Sequence, residues 1–208
     1  MTSLRSVMKR LLGGNTFITV VSGLPRSGTS MMMSALRAGG MPLLVDGIRE
    51  ADANNPKGYF EYERVKKLPV GDTEWLKSAE GKALKIISAL LEYLPDANQY
   101  RVIFMERDID EILKSQKRML ARSGTKKDDA VSDEDMRRYF QAHLEEVHSL
   151  LEARDWLKVT YVSYNDILRN PVREFQRVAK FLEGRVEPAL MTAVVDPTLY
   201  REKINGDR

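Results

Sequence analysis

The sequence contains no cysteine, so disulfides, thiolate metal sites and a cysteine nucleophile are all excluded. A reducing, cytoplasmic setting is the expectation that fits. Histidine is almost absent as well: His143 and His148 stand alone, at a spacing that is not that of a metal-binding pair, and both read as packing residues of one long helix. No metal site is expected. Charge of one sign is also lacking, because 33 Lys+Arg face 30 Asp+Glu for a net +3, too small an excess to argue for nucleic acid. No apolar run approaches the ~18 residues of a membrane span, so no stable membrane insertion is expected. With 208 residues, 43% of them hydrophobic and 30% charged, the chain reads as one globular domain over 1–208. A chain of this size buries roughly 70% of its unfolded surface, enough for a full core without staples. Residues 1–15 read as a basic lead-in without the apolar core of a signal peptide, 122–131 as a mobile polar loop, and 200–208 as a polar tail.

Thr16 to Ser22 is a β-branched run ending in Gly-Leu-Pro, which reads as a buried strand feeding a tight loop. A helix follows, with Met31, Met32, Met33, Ala35, Leu36 and Ala38 buried and Gly39-Gly40 as its stop. Asp46 to Gly58 is turn-rich and reads as an ordered functional loop. Ala83 to Ser88 and Arg101 to Glu106 are two more short buried runs, and Trp156 to Val162 is a fourth strand candidate. Between them lie helices over Asp108 to Ala121 and from Ser132, where Ser132 and Asp135 form an N-terminal cap, and after them one over Pro171 to Leu182. Strand alternating with helix predicts a three-layer α/β/α P-loop domain with a mainly parallel central sheet and ligands at the carboxyl ends of its strands.

Gly23-Leu24-Pro25-Arg26-Ser27-Gly28-Thr29-Ser30 has the G-x-x-x-x-G frame between a strand and a helix. Such a loop curls successive backbone N–H groups into a nest and adds the positive end of the following helix, so an anionic oxygen cluster can sit there. The usual Walker lysine is replaced by Thr29, which argues against ordinary nucleoside triphosphate chemistry. Arg26 instead places a planar, permanent cation in the loop, and Ser27, Thr29 and Ser30 add hydroxyls.

Pro25-Arg26-Ser27-Gly28-Thr29-Ser30 resembles, residue for residue, the 5′-phosphosulfate loop of sulfotransferases that use 3′-phosphoadenylyl sulfate (PAPS). In that family an arginine at a strand end and a serine eight residues on hold the 3′-phosphate, and Arg107 and Ser115 have this spacing. Where the family usually has a proline just after that arginine, Asp108-Ile109-Asp110 stands here. Tyr164-Asn165-Asp166 is similar to a Tyr-Glu-Asp element near the cofactor nucleoside; a capped turn with a packed tyrosine is the other reading. Arg201 with Gly206-Asp207 is similar to a segment that closes over the 3′-phosphate, against the alternative of an unstructured tail.

The resemblance implies transfer of a sulfuryl group from PAPS to a hydroxyl or amine on a small-molecule, carbohydrate or peptide acceptor, leaving adenosine 3′,5′-bisphosphate. Arg26 would stabilise the charge on the transferring group. Cytosolic members take their catalytic base from a histidine at the position of Ser88, whereas the carbohydrate and tyrosyl-protein branches use a carboxylate shortly after the loop and its helix, and the resemblance to those branches implies a carboxylate base here. Glu50 is the first candidate and Glu61 the second, with Asp46, Asp52 and Glu63 nearby in sequence. Two competitors remain: a P-loop kinase acting on a nucleotide or metabolite, and a non-catalytic nucleotide-binding scaffold that lacks the base.

Overall fold

The computed structural model describes residues 16–48, 58–123 and 132–195. Glu50, Asp52, Arg201, the lead-in, the polar tail and most of the expected 122–131 loop lie outside the described residues. In chain order the elements are β1 (Ile18–Gly23), α1 (Thr29–Ala38), a 3₁₀ helix at Glu63–Val70, α2 (Leu76–Ala79), β2 (Ala83–Lys85) and a 3₁₀ helix at Ser88–Tyr93. Then come β3 (Tyr100–Glu106), α3 (Ile109–Ser123), α4 (Asp133–Glu152), β4 (Leu157–Ser163), α5 (Tyr164–Arg169), α6 (Pro171–Phe181) and α7 (Pro188–Thr192).

The four strands form one parallel sheet in the order β2-β1-β3-β4. Every residue of β1 is buried, as a strand covered on both faces must be. One face carries Val21, Met32, Met33, Leu36 and Phe175 against the helices α1 and α6. The opposite face carries Val20, Leu84, Val102 and Phe104 with Val147 and Leu151 of α4. This is the three-layer α/β/α arrangement expected from the alternation of elements. A third cluster joins Leu24, just past β1, to Ile112 and Leu113 of α3 and Phe140 of α4. It closes the carboxyl edge of the sheet.

The pairs Gly23 with Met105 and Glu106 with Ser163 bring the ends of β1, β3 and β4 to one level. The helix starts agree with the sequence signals. Ser132 Oγ accepts from the Asp135 amide at 3.1 Å, and Pro171 occupies the first turn of α6 behind its Asn170 cap. One strand is shorter than its apolar run. β2 ends at Lys85, Ile86 still donates its amide to Val21, and the chain then leaves the ladder so that Ser88 opens a 3₁₀ helix. β2 is the outermost strand on its side of the sheet, bridged beyond β1 only at Ala83, to Leu43, so its carboxyl end is free to turn away.

Candidate functional site

The loop between β1 and α1 is built around two glycines whose conformations exclude side chains. At Gly23 (φ 140°) a Cβ would lie 2.5 Å from the Met105 carbonyl oxygen, and at Gly28 (φ 102°) it would lie 2.5 Å from the Tyr164 ring. Both contacts let the loop settle onto the neighbouring strand ends. Arg26 adopts a left-handed conformation (φ 71°), and the Ser27 amide donates back to the Leu24 carbonyl at 3.1 Å. No side chain caps α1 and no acidic residue stands in its first turn, so its leading amides face the loop with the positive end of the helix. The Ser27 hydroxyl is buried and has no hydrogen-bond partner in the protein. A buried hydroxyl left unpaired costs folding free energy, and an oxyanion in the loop would satisfy it. The residues present therefore fit a phosphate or sulfate group.

Three further elements converge on this loop. Arg107, one residue beyond β3, donates from Nη1 to the Arg26 carbonyl at 3.1 Å, and its guanidinium lies over the Tyr164 ring at 4.4 Å. Arg26 Nε in turn donates to Ser115 Oγ at 3.0 Å, so the loop arginine and the serine two turns into α3 are directly joined. Behind them sits Glu111, whose side chain is 2% exposed. Its Oε2 accepts from Arg107 Nε at 2.8 Å and its Oε1 from Asn165 Nδ2 at 3.1 Å. Burial pushes the Tyr164 phenol above its usual range, with Arg107 partly opposing. Ser163 caps α5 by accepting from the Asp166 amide, and Tyr164 is packed against Gly28 of the loop.

Glu111 was not singled out from the sequence, and Asn165 was named only as the middle of the Tyr164-Asn165-Asp166 element. Glu111 stands among the acidic residues that open α3, where a favourable interaction with the helix dipole explains it equally well. The signal that could have found it is its position four residues after Arg107.

A second group lies at the end of β2. Glu61 Oε1 is 3.5 Å from Lys85 Nζ, and the same ammonium donates to the Tyr59 carbonyl. Asp46 is used structurally, its carboxylate accepting from the Glu63 and Ile48 amides, and Glu63 pairs with Lys66. Ser88 is buried and its Oγ lies 2.8 Å from Nε2 of His143. His143 was expected only to pack; its ring is instead hydrogen-bonded to a residue at the sheet's carboxyl edge. His148 does pack, edge-on against Phe104 and Tyr161. A cleft of about 390 Å³ opens beside the loop between Leu24, Ser27, Arg107 and the α4 residues Gln141 and Leu144. Among the described residues no cluster of His, Asp or Glu is arranged to hold a metal ion, and no helix is long and apolar enough to cross a membrane.

The model of the sulfotransferase family matches residues 58–188, a span that takes in Arg107, Glu111, Ser115 and Tyr164 and begins after the loop. Solved structures of sulfotransferase domains share the fold. The sulfotransferase domain from the Synechococcus PCC 7002 olefin synthase aligns with a TM-score of 0.51 at 16% identity, covering 91% of this chain and 89% of that one. The sulfotransferase domain from the curacin biosynthetic pathway aligns with a TM-score of 0.52 at 13% identity, covering 92% and 93%. No curated protein matches the chain.

Proposed function

As the chain belongs to the sulfotransferase family, we propose that it transfers a sulfuryl group from PAPS to a hydroxyl or amine acceptor. The observation that carries this reading is the pair of arginines joined at the loop, Arg26 bonded to Ser115 and Arg107 bonded to the carbonyl of Arg26. Two cationic side chains held at one loop suit a nucleotide with phosphate at both its 5′ and 3′ positions. Pro25, Arg26, Ser27, Gly28, Thr29 and Ser30 would receive the 5′-phosphosulfate, with the leading amides of α1 directed at it. Arg107 and Ser115 would hold the 3′-phosphate, with Tyr164 beneath Arg107. Arg201 belongs to the same proposal as a residue that would close over that phosphate.

PAPS supplies an activated sulfuryl group; the chain's own part is to orient it and to stabilise the charge that gathers on the departing phosphate. Arg26 and the α1 amides supply that stabilisation without rearranging, which makes oriented donors effective in group transfer. The acceptor's proton must pass to a base. Glu50 and Glu61 are the carboxylate candidates, and Glu61 stands at the end of β2 in its pair with Lys85.

Thermal unfolding with adenosine 3′,5′-bisphosphate, 5′-AMP and magnesium-ATP in parallel tests the reading. A ligand at a hundred times its Kd stabilises by about 2.7 kcal/mol, which for a domain of this size raises Tm by roughly 5 to 11 °C. The bisphosphate is expected to give this shift and 5′-AMP much less. Arg107→Ala is expected to abolish the difference between the two. A shift with magnesium-ATP alone would turn the assignment to a kinase, and equal binding of the bisphosphate by Arg107→Ala would remove the 3′-phosphate site from it.

A further inference from the structure

We propose that His143 is the general base of the transfer, an assignment that rests on the donor reading above. Val21 pairs with Lys85, and three residues beyond each lie Leu24, in the phosphate loop, and Ser88. The chain leaves the ladder after Ile86, and Ser88 opens the 3₁₀ helix that follows β2, at the carboxyl end of the strand next to the one that feeds the loop. His143 reaches this point from α4, with Nε2 2.8 Å from Ser88 Oγ. The same helix is fixed to the loop one turn earlier, where Phe140 packs with Leu24. Ser88 is 3% exposed and cannot itself meet an acceptor, while the His143 ring is half-buried and reachable.

The pairing also sets the chemistry of the ring. In the tautomer that donates Nε2–H to the serine hydroxyl, the lone pair of Nδ1 is left to accept a proton. A serine held in this way is a positioning residue for the imidazole. Imidazole is the side chain best suited to exchange a proton near neutral pH. Glu61, by contrast, is engaged by Lys85. Ile87, 49% exposed, and Tyr139, 63% exposed with its ring parallel to that of His143, flank the pair and give the approach an apolar rim.

The step balances without any further reactant. The acceptor oxygen forms a bond to sulfur as its proton passes to Nδ1 of His143. The bond from sulfur to the 5′-phosphate oxygen breaks, and its electron pair leaves on that oxygen beside Arg26. No group is oxidised or reduced.

The test follows release of adenosine 3′,5′-bisphosphate from PAPS, with water alone and with added 4-methylphenol, in the full chain. His143→Ala is expected to lower turnover by about 10²- to 10⁴-fold, the usual contribution of a general base. The Tm rise produced by adenosine 3′,5′-bisphosphate should remain, which shows that the variant folds and holds the donor product. Added imidazole should restore part of the turnover to His143→Ala, an effect that a packing role would not produce. Ser88→Ala should lower kcat by about tenfold with little change in KM, consistent with the loss of one orienting hydrogen bond. Turnover by His143→Ala within threefold of the wild type overturns the assignment. So does a larger loss from Glu61→Gln than from His143→Ala, or a wild type that binds the bisphosphate yet releases none from PAPS. Failure of the bisphosphate to raise Tm at all would instead sink the donor reading itself.

Discussion

At the ends of β1, β3 and β4 the charged groups are tied to one another inside the fold, Arg26 to Ser115, Arg107 to Glu111 and Glu111 to Asn165. At the end of β2 the polar groups meet in separate pairs, Glu61 with Lys85 and Ser88 with His143, beside exposed apolar side chains. The first region is built mainly on the central strands β1 and β3 and is shaped before any ligand arrives. The second lies on the edge strand and borders segments outside the described residues. A shared nucleotide donor needs one fixed shape, whereas acceptor recognition is the part of a group-transfer fold that can vary without loss of the chemistry. Substitutions at the two ends should therefore fail in different ways.

The largest effect is expected at Glu111. Its side chain is 2% exposed and that of Arg107 7% exposed, and removing one member of a buried ion pair costs about 3–5 kcal/mol. Glu111→Ala should lower Tm by roughly 6 to 20 °C by the scaling for this chain length. Adenosine 3′,5′-bisphosphate should recover part of the loss, because its phosphate brings negative charge back to Arg107. A variant with unchanged Tm would show that the donor end is not preorganised by this carboxylate. Gly28→Ala comes next. Its φ of 102° is strained for any L residue, at about 1–3 kcal/mol, and the new methyl would strike the Tyr164 ring 2.5 Å away. Scanning calorimetry should show the stability loss, and binding of the bisphosphate should weaken with it. Ser132→Ala touches neither group of polar contacts. Losing the cap of α4 should cost about 1 kcal/mol in chemical denaturation and leave bisphosphate affinity as it was.

The contrast between the two ends also explains what the sequence could show. Strand, loop and helix at 18–38 are consecutive, so the glycine loop is visible as a local pattern. Arg107 and Ser115 lie on one strand end and one helix, and their spacing survives translation into structure. Glu111 was hidden because an acidic residue at the start of a helix has an ordinary explanation in the dipole. His143 was hidden more completely. Its partner is 55 residues away, and no periodicity along α4 marks a ring that turns toward the end of β2. The carboxylate candidates, by contrast, came from resemblance to branches of the family. Asp46 and Glu63 are occupied in turn and surface contacts.

The opposite edge of the sheet offers the smallest test and separates stability from function. Tyr100 opens β3 at the amino end, and its hydroxyl is buried without a hydrogen-bond partner. Burial pushes its phenol well above the usual range, and the nearby negative charge of Asp96 adds to the effect. The folded protein therefore keeps this proton where an unfolded tyrosine, with its pKa near ~10, gives it up. Ionisation then favours the unfolded chain, so the contribution of the neutral phenol is fully present below about pH 10 and is lost as pH rises beyond it. Tyr100→Phe should remove this part of the alkaline loss. At neutral pH it should leave stability unchanged or raise it by up to about 1 kcal/mol, since deleting an unpaired buried hydroxyl removes a desolvation cost and no bond. Denaturation curves at pH 7 and pH 10.5 check both halves. Bisphosphate binding should be the same in both proteins at pH 7, because Tyr100 and the phosphate loop stand at opposite ends of the strands, and a change there would mean that the donor end depends on packing at the far edge of the sheet.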